Sequence, residues 1–166
     1  MKKIVSLSAI LISFTIIFIG IFVGANIGWN AVMPSSNAAK EDVHDKFVMV
    51  KDLAELNATV AKANRDGKTV MVDLYADWCI ACKEFEQFTF PDTKVQQALA
   101  NSIMIQIDLT NTGSDSSVEL MQHFDVFGLP SILFFDLQGN ELKEQRVTGF
   151  MNAEKFSAHI NRIFNN

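Results

Sequence analysis

The chain of 166 residues contains two cysteines and no others, three isolated histidines, and no run of lysine or arginine after Lys2 and Lys3. Each shortage removes a class of function. A structural zinc site takes four Cys or His ligands, and His44, His123 and His159 are scattered singly with no second cysteine pair to join them. A net charge of −5 without a basic patch offers nucleic acid no electrostatic footprint. No internal repeat is visible, and no motif calls for a nucleotide or organic cofactor, so the expected cofactor is none. Disulfide staples are missing as well, apart from whatever the two cysteines form with each other.

Charge is absent from one long stretch, between Lys3 and Lys40. Its most apolar part, Ile4 to Ala25, is 22 residues long. As a helix it would run about 33 Å, enough to cross a bilayer. A cleaved signal peptide is the competing reading, and both Val23-Gly24-Ala25 and Ser36-Asn37-Ala38 suit a signal peptidase. The apolar core of such a peptide is usually shorter, about 7–15 residues, and Trp29 suits an interfacial anchor. The favoured reading is therefore a signal anchor over residues 1–32, lysines in the cytoplasm and the rest exported. Residues 33–45 are polar and read as a flexible linker with a reach of about 20 Å. Residues 46–166 form the remaining domain.

The two cysteines sit two residues apart, in Asp77-Trp78-Cys79-Ile80-Ala81-Cys82-Lys83. They directly follow the apolar run Val70-Met71-Val72-Asp73-Leu74-Tyr75. A strand that ends in Cys-x-x-Cys and turns into a helix is the layout of a thiol–disulfide redox site. The helix start stabilises a thiolate at Cys79, the attacking sulfur, while Cys82 lies one turn on and faces inward, the resolving sulfur. So short a loop makes a poor structural staple. Disulfides persist outside the cytoplasm, yet this exported chain spends no other cysteine on stapling, so the pair reads as its working part.

From Phe47 onward strands and helices alternate. Phe47 to Val50 reads as a strand, and Asp52 caps a helix with Leu53, Leu56, Val60 and Ala63 on one face, ended by Asp66-Gly67. Thr69 to Tyr75 is a strand buried on both faces. The cysteine helix follows, with Phe85 and Phe88 as core contacts, until Pro91-Asp92-Thr93 breaks it and starts another helix through Leu99. Next come a strand from Ile103 to Asp108 and a helix opened by Ser116 or Ser117 and running to Phe124. Ser131 to Phe135 is a strand joined through Asp136-Leu137-Gln138-Gly139 to a second strand, Glu141 to Val147. Asn152 caps a final helix to Phe164. A hairpin cannot join parallel strands, so the sheet is mixed. The expected class is α/β: a thioredoxin fold with a central mixed sheet flanked by helices, preceded by the one N-terminal transmembrane helix.

Three stretches carry a resemblance: Val72 through Glu86, Gly128-Leu129-Pro130-Ser131-Ile132-Leu133-Phe134-Phe135, and Arg146-Val147-Thr148-Gly149-Phe150-Met151. In them the chain resembles the C-terminal periplasmic thioredoxin-like domain of DsbD, the bacterial inner-membrane thiol:disulfide interchange reductases. The resemblance implies a protein-disulfide reductase in the periplasm, held at the inner membrane. It would take electrons from a membrane-embedded thiol donor and pass them to periplasmic disulfide proteins with thioredoxin-like folds. The polytopic domain of those reductases has no counterpart here, so the donor would be a separate protein.

The resemblance also implies that Pro130 is the cis-proline of the fold, leaving the backbone of Leu129 exposed to pair with an extended substrate segment. Trp78 is expected beside the sulfur, limiting solvent access. Asp73 interrupts a buried strand, where a lone carboxylate is costly; it would lie beneath the cysteine helix and accept the Cys82 proton. Glu86, four residues after Cys82, shares its helix face and matches an acid of the resembled domain; its charge would raise the Cys79 pKa. Ile80 and Ala81 offer the thiolate no charge and no hydrogen bond, which favours a reductant over an oxidant. Two alternatives remain: a cytochrome c maturation thioredoxin, also anchored and reducing, and a carrier of a soft metal such as Cu(I).

Overall fold

The structure, a computed structural model, describes residues 43–165. The proposed anchor and most of the linker lie outside the described residues. Among the described residues no helix is long and apolar enough to cross a membrane. Val43–Lys46 forms a single 3-10 turn leading into strand β1, Phe47–Met49.

Helix α1, Leu53–Arg65, starts where the sequence supplies a cap: the Asp52 carboxylate accepts from the Glu55 N–H at 2.8 Å, and Glu55 in return accepts from the Lys51 N–H at 2.9 Å. β2, Thr69–Tyr75, is the central strand. The cysteine helix α2, Ile80–Glu84, passes into one turn of π-helix over Phe85–Thr89. Asp92 caps α3, Thr93–Ala98, and β3 follows over Ser102–Asp108. Helix α4, Asp115–His123, is capped by Ser114, two or three residues before the expected Ser116 or Ser117. The Ser114 hydroxyl accepts from the Ser117 N–H at 3.2 Å and donates to the Ser117 hydroxyl at 2.8 Å, so Ser117 is spent inside the first turn. Strand β4 is Ser131–Phe135, β5 is Val147–Thr148, and Asn152 caps the last helix, α5, over Ala153–Phe164.

The sheet runs β1-β3-β2-β4-β5, parallel across its first three strands and antiparallel at β4 and β5. Residues alternate between faces along a strand, and here the alternation sorts the core in two. Val70, Val72 and Leu74 of β2 join Ile105, Ile107, Leu133 and Phe135 beneath α1 and α4. Met71 of β2 joins Met104, Ile132 and Phe134 on the other face, under the π turn, α3 and α5. Asp73 and Gln106 fall on this second face by the same count, and the register pairs them directly.

Two sequence expectations need correcting. Phe88, read as a core contact, is 60% exposed, while Phe85 and Phe90 are fully buried. The π turn is the reason. It closes with the Phe90 N–H donating to the Phe85 carbonyl at 2.8 Å, a five-residue step that turns Thr89 and Phe90 inward and carries Phe88 out. Phe85 then stacks on Phe90 at 5.2 Å and meets Phe156 edge-on at 5.5 Å. The expected strand Glu141–Val147 is also broken. Glu141 makes an isolated bridge to Phe135, Lys143–Gln145 forms a 3-10 turn, and only Val147–Thr148 pair with β4. Lys143-Glu144-Gln145 has no apolar side chain to hold a strand against the core, so the chain bulges there. The turn before it needs Gly139, which has φ 81°; a Cβ there would sit 2.8 Å from Asn64 Oδ1.

Candidate active site

The site is built where β2 runs into α2. After Tyr75 the chain turns through Ala76, whose carbonyl accepts from the Cys79 N–H at 3.0 Å. The loop after β3 pins this turn from the side: Thr110 Oγ1 accepts from the Asp77 N–H at 2.9 Å, and the Thr110 carbonyl accepts from the Trp78 indole at 3.1 Å. Trp78 is thereby held with 58% of its surface exposed, so it fills no core.

Cys79 is the N-cap of α2, and its sulfur accepts from the Cys82 N–H at 3.2 Å. The two sulfurs are joined in a disulfide with a Cα–Cα distance of 5.3 Å. Cys79 is 6% exposed and Cys82 fully buried. An incoming group therefore reaches Cys79 first. Upon reduction the Cys79 sulfur would stay at the helix start, where the Cys82 N–H and the dipole favour its anionic form.

Between β2, β3 and the π turn lies a polar group in an otherwise apolar face. Gln106, fully buried, donates from one amide nitrogen to Asp73 Oδ2 at 3.0 Å and to Glu86 Oε1 at 2.9 Å. Asp73 is 1% exposed. Glu86, part-buried on the π turn, is thus turned toward the sheet and is no solvated helix glutamate. The structure brings Asp73 and Glu86 together through a residue that sequence reasoning missed. Its signal was present: Gln106 is the one polar residue inside the run Ile103 to Ile107, and strand alternation puts it on the face of Asp73. Tyr75 packs against the cysteines from the end of β2. Burial first, then the negative charges of Asp108, Asp77, Glu86 and Asp73, hold its phenol above the usual tyrosine range.

The segment between α4 and β4 supplies the other wall. Leu129 packs on the Cys79–Cys82 cluster, and the Leu129–Pro130 bond is cis. Among the described residues neither the N–H nor the C=O of Leu129 enters a hydrogen bond. Its neighbours are fixed: Ser131 Oγ donates to the Gly128 carbonyl at 2.8 Å, and the Gly149 N–H to the Pro130 carbonyl at 3.2 Å. Phe127 projects from the loop 95% exposed, and Ile80 beside Cys79 is 78% exposed. Ile80 and Trp78 flank Cys79 in sequence, and Phe127 lies two residues before Leu129, which packs on the disulfide. Among the described residues no group of three or more His, Cys, Asp or Glu is arranged to hold a metal ion.

A two-residue disulfide capping a helix, with a cis-proline loop across from it on a mixed five-stranded sheet, defines the class of thioredoxin-fold thiol–disulfide proteins. Comparison with known proteins narrows this. A family model described as a thioredoxin-like domain matches residues 56–164. The thiol:disulfide interchange protein DsbD of Colwellia psychrerythraea is 57% identical over 150 residues, 90% of this chain and 25% of that protein. DsbD of Escherichia coli K12 is 49% identical over 126 residues, 76% of this chain and 22% of that protein. The crystal structure of the oxidised C-terminal domain of Neisseria meningitidis DsbD superposes with a TM-score of 0.61 at 31% identity, covering 69% of this chain and 98% of that one. The chain belongs to the thioredoxin-like family typified by the C-terminal domain of DsbD. It spans about a quarter of the length of the full-length relatives it matches.

Proposed function

We propose that the chain is a periplasmic protein-disulfide reductase of the inner membrane, held there by its N-terminal segment, that relays electrons through Cys79 and Cys82. In the reduced form the Cys79 thiolate attacks one sulfur of a substrate disulfide. A mixed disulfide forms and the first substrate sulfur leaves as a thiolate, which takes up a proton. Cys82 then gives its proton to Asp73 and attacks Cys79, expelling the second substrate thiolate. Two electrons have passed to the substrate, and Cys79–Cys82 is left as the disulfide. A membrane-embedded dithiol returns the two electrons.

The observation that carries the reductive direction is the chemistry around Cys79. Ile80 and Ala81 give a thiolate nothing further to lean on, and Gln106 holds two carboxyls together, Asp73 on the strand that leads to Cys79 and Glu86 on the turn that continues its helix. Beyond the Cys82 N–H and the helix start, the thiolate gains no further stabilisation, and a pair whose reduced form is only modestly stabilised is a donor of electrons. The unused N–H and C=O of Leu129 support an extended substrate segment pairing there. The apolar side chains of Trp78, Ile80 and Phe127 support partners that are themselves folded proteins, among them thioredoxin-fold proteins of the periplasm.

Equilibrating the full chain against glutathione buffers tests the direction. A potential of about −230 to −270 mV, the glutaredoxin-to-thioredoxin range, is expected. A value near about −120 mV, that of a strong oxidant, overturns the reductase reading and leaves the fold untouched.

A further inference from the structure

Arg146 lies just ahead of β5, far in sequence from the cysteines. Its Nη1 donates to the Phe124 carbonyl at 2.6 Å and its Nε to Glu141 at 2.5 Å, with 18% of the arginine side chain and 10% of the glutamate exposed. Phe124 is the C-terminal cap of α4. The chain departs from that point toward the cysteines: Asp125 takes the left-handed φ of 50°, the Val126 N–H returns to the Met121 carbonyl at 2.9 Å, and Phe127, Gly128, Leu129 and Pro130 follow. The far end of this segment is tied to β5, through the Ser131–Thr148 pairing and the Gly149 N–H to Pro130 bond. Arg146 ties the near end to the same strand. One guanidinium thus spans the root of the loop, and Arg146 lines the hollow formed by Asp125, Phe127, Leu129 and Thr148.

We infer that Arg146 is a positioning residue for substrate docking: by joining the end of α4 to the β4–β5 edge it sets where Leu129 and Phe127 stand relative to the Cys79–Cys82 disulfide. The inference rests on the reductase reading given above. Two features separate the role from general scaffolding. The hydrogen bonds of Arg146 go to Glu141 and the Phe124 carbonyl, not to a cysteine or to the Asp73–Gln106–Glu86 group. Its Nη2 is also buried with no hydrogen-bond partner among the described residues. That penalty offsets part of what its two bonds contribute. Lysine is not equivalent, because a point charge cannot fork between Glu141 and the Phe124 carbonyl.

The test uses the full chain and two variants, Arg146→Lys and Arg146→Gln, with dithiothreitol as electron source. Insulin serves as the protein disulfide; 5,5′-dithiobis(2-nitrobenzoate), a small disulfide that needs no docking loop, is mixed in a single turnover with the pre-reduced chain after the dithiothreitol, which would react with it directly, has been removed. Arg146→Lys keeps a cation beside Glu141 and so gives a readable variant if Arg146→Gln loses its fold. The expected result is a KM for insulin raised by about tenfold with kcat within about twofold, the pattern of lost binding without lost chemistry. The rate with the small disulfide and the Cys79–Cys82 potential stay at wild-type values. An unchanged KM for insulin in folded Arg146→Lys overturns the inference. So does a parallel change in the small-disulfide rate and the potential, which would mean that Arg146 acts on the sulfurs. A wild-type chain that reacts with the small disulfide but never reduces insulin removes the reductase reading, and the inference with it.

Discussion

Replacing Gln106 by leucine removes the group that joins the two carboxyls between β2, β3 and the π turn while leaving the strand and its volume nearly intact. The amide donates at 3.0 Å to Asp73 and at 2.9 Å to Glu86. A hydrogen bond to a charged acceptor contributes about 1.5–3 kcal/mol, and since both leave one nitrogen, about 3–4 kcal/mol for the pair is a reasonable sum. Gln106 also carries a cost. Its Oε1 is buried with no partner among the described residues, and an unmade bond of that kind costs about 1–3 kcal/mol. Leucine relieves it. Taking the middle of each range, about 3.5 less about 2, leaves a net loss of about 1–2 kcal/mol in Gln106→Leu at neutral pH. In a domain of this size that lowers Tm by roughly 3–8 °C.

The assay is thermal unfolding of the oxidised chain at pH 7, paired with guanidinium unfolding to check that the m-value is unchanged. The sign of the result is informative beyond stability. Were the two carboxyls neutral, each bond would be worth only about 1 kcal/mol, the relief of Oε1 would cancel the pair, and leucine would be neutral or stabilising. A Tm equal to or above wild type would therefore refute the reasoning, and with it the picture of two ionised acids held by one amide. It would also weaken Asp73 as a proton acceptor, since an acid that already holds a proton cannot take one from Cys82.

Three further outcomes follow from the same geometry. Asp73→Asn slows resolution of the Cys79 mixed disulfide by about 100-fold or more, the usual worth of a positioned base, while the first attack by Cys79 is not slowed; rapid acid quench and mass spectrometry of the trapped species read this directly. Phe85→Ala destabilises by about 3–5 kcal/mol through the cavity it leaves against Phe90 and Phe156, whereas Phe88→Ala stays within about 0.5 kcal/mol because Phe88 is a surface residue; denaturant unfolding compares the two. At Asp136 burial works against the charge, but the N–H groups of Asn140, Gln138 and Gly139 and the Asn140 side chain outweigh it and hold the carboxyl below the usual range. A lowered folded-state pKa stabilises above the unfolded value and fades as pH falls through the folded one. Asp136→Asn thus lowers Tm at pH 7, with the gap to wild type closing below about pH 4.

What could be read from the sequence depended on how local the determining interaction is. Asp52, Asp92 and Asn152 cap helices through bonds to N–H groups two or three residues on, and such bonds are visible in a four-residue window. The continuous apolar run Thr69 to Tyr75 announces a strand covered on both sides, and the spacing of Cys79 and Cys82 contains its own disulfide. Phe88 went astray because one extra residue in a turn, the π step at Phe85–Thr89, rotates everything after it, and helical periodicity assumes no such step. The strand expected over Glu141–Val147 failed for a different reason. Lys143-Glu144-Gln145 offers the core no apolar side chain and folds into a 3-10 turn, and the turn signal before it says nothing of where pairing resumes.

Gln106 is the instructive omission. Alone, a glutamine in an apolar strand says only that some polar partner must be near. Asp73, read alone, says the same. The two statements become one site only when parallel pairing sets residue 73 opposite residue 106, 33 positions apart, and when the π turn swings Glu86 onto the same amide. The sheet register decides the first contact and the irregular helix the second. Reading buried polar residues in pairs, one strand against the next at every register that the apolar pattern allows, would have found the first of these without a structure. The second could not have been found that way, because the irregularity that makes it is the same one that hid Phe90 from the core.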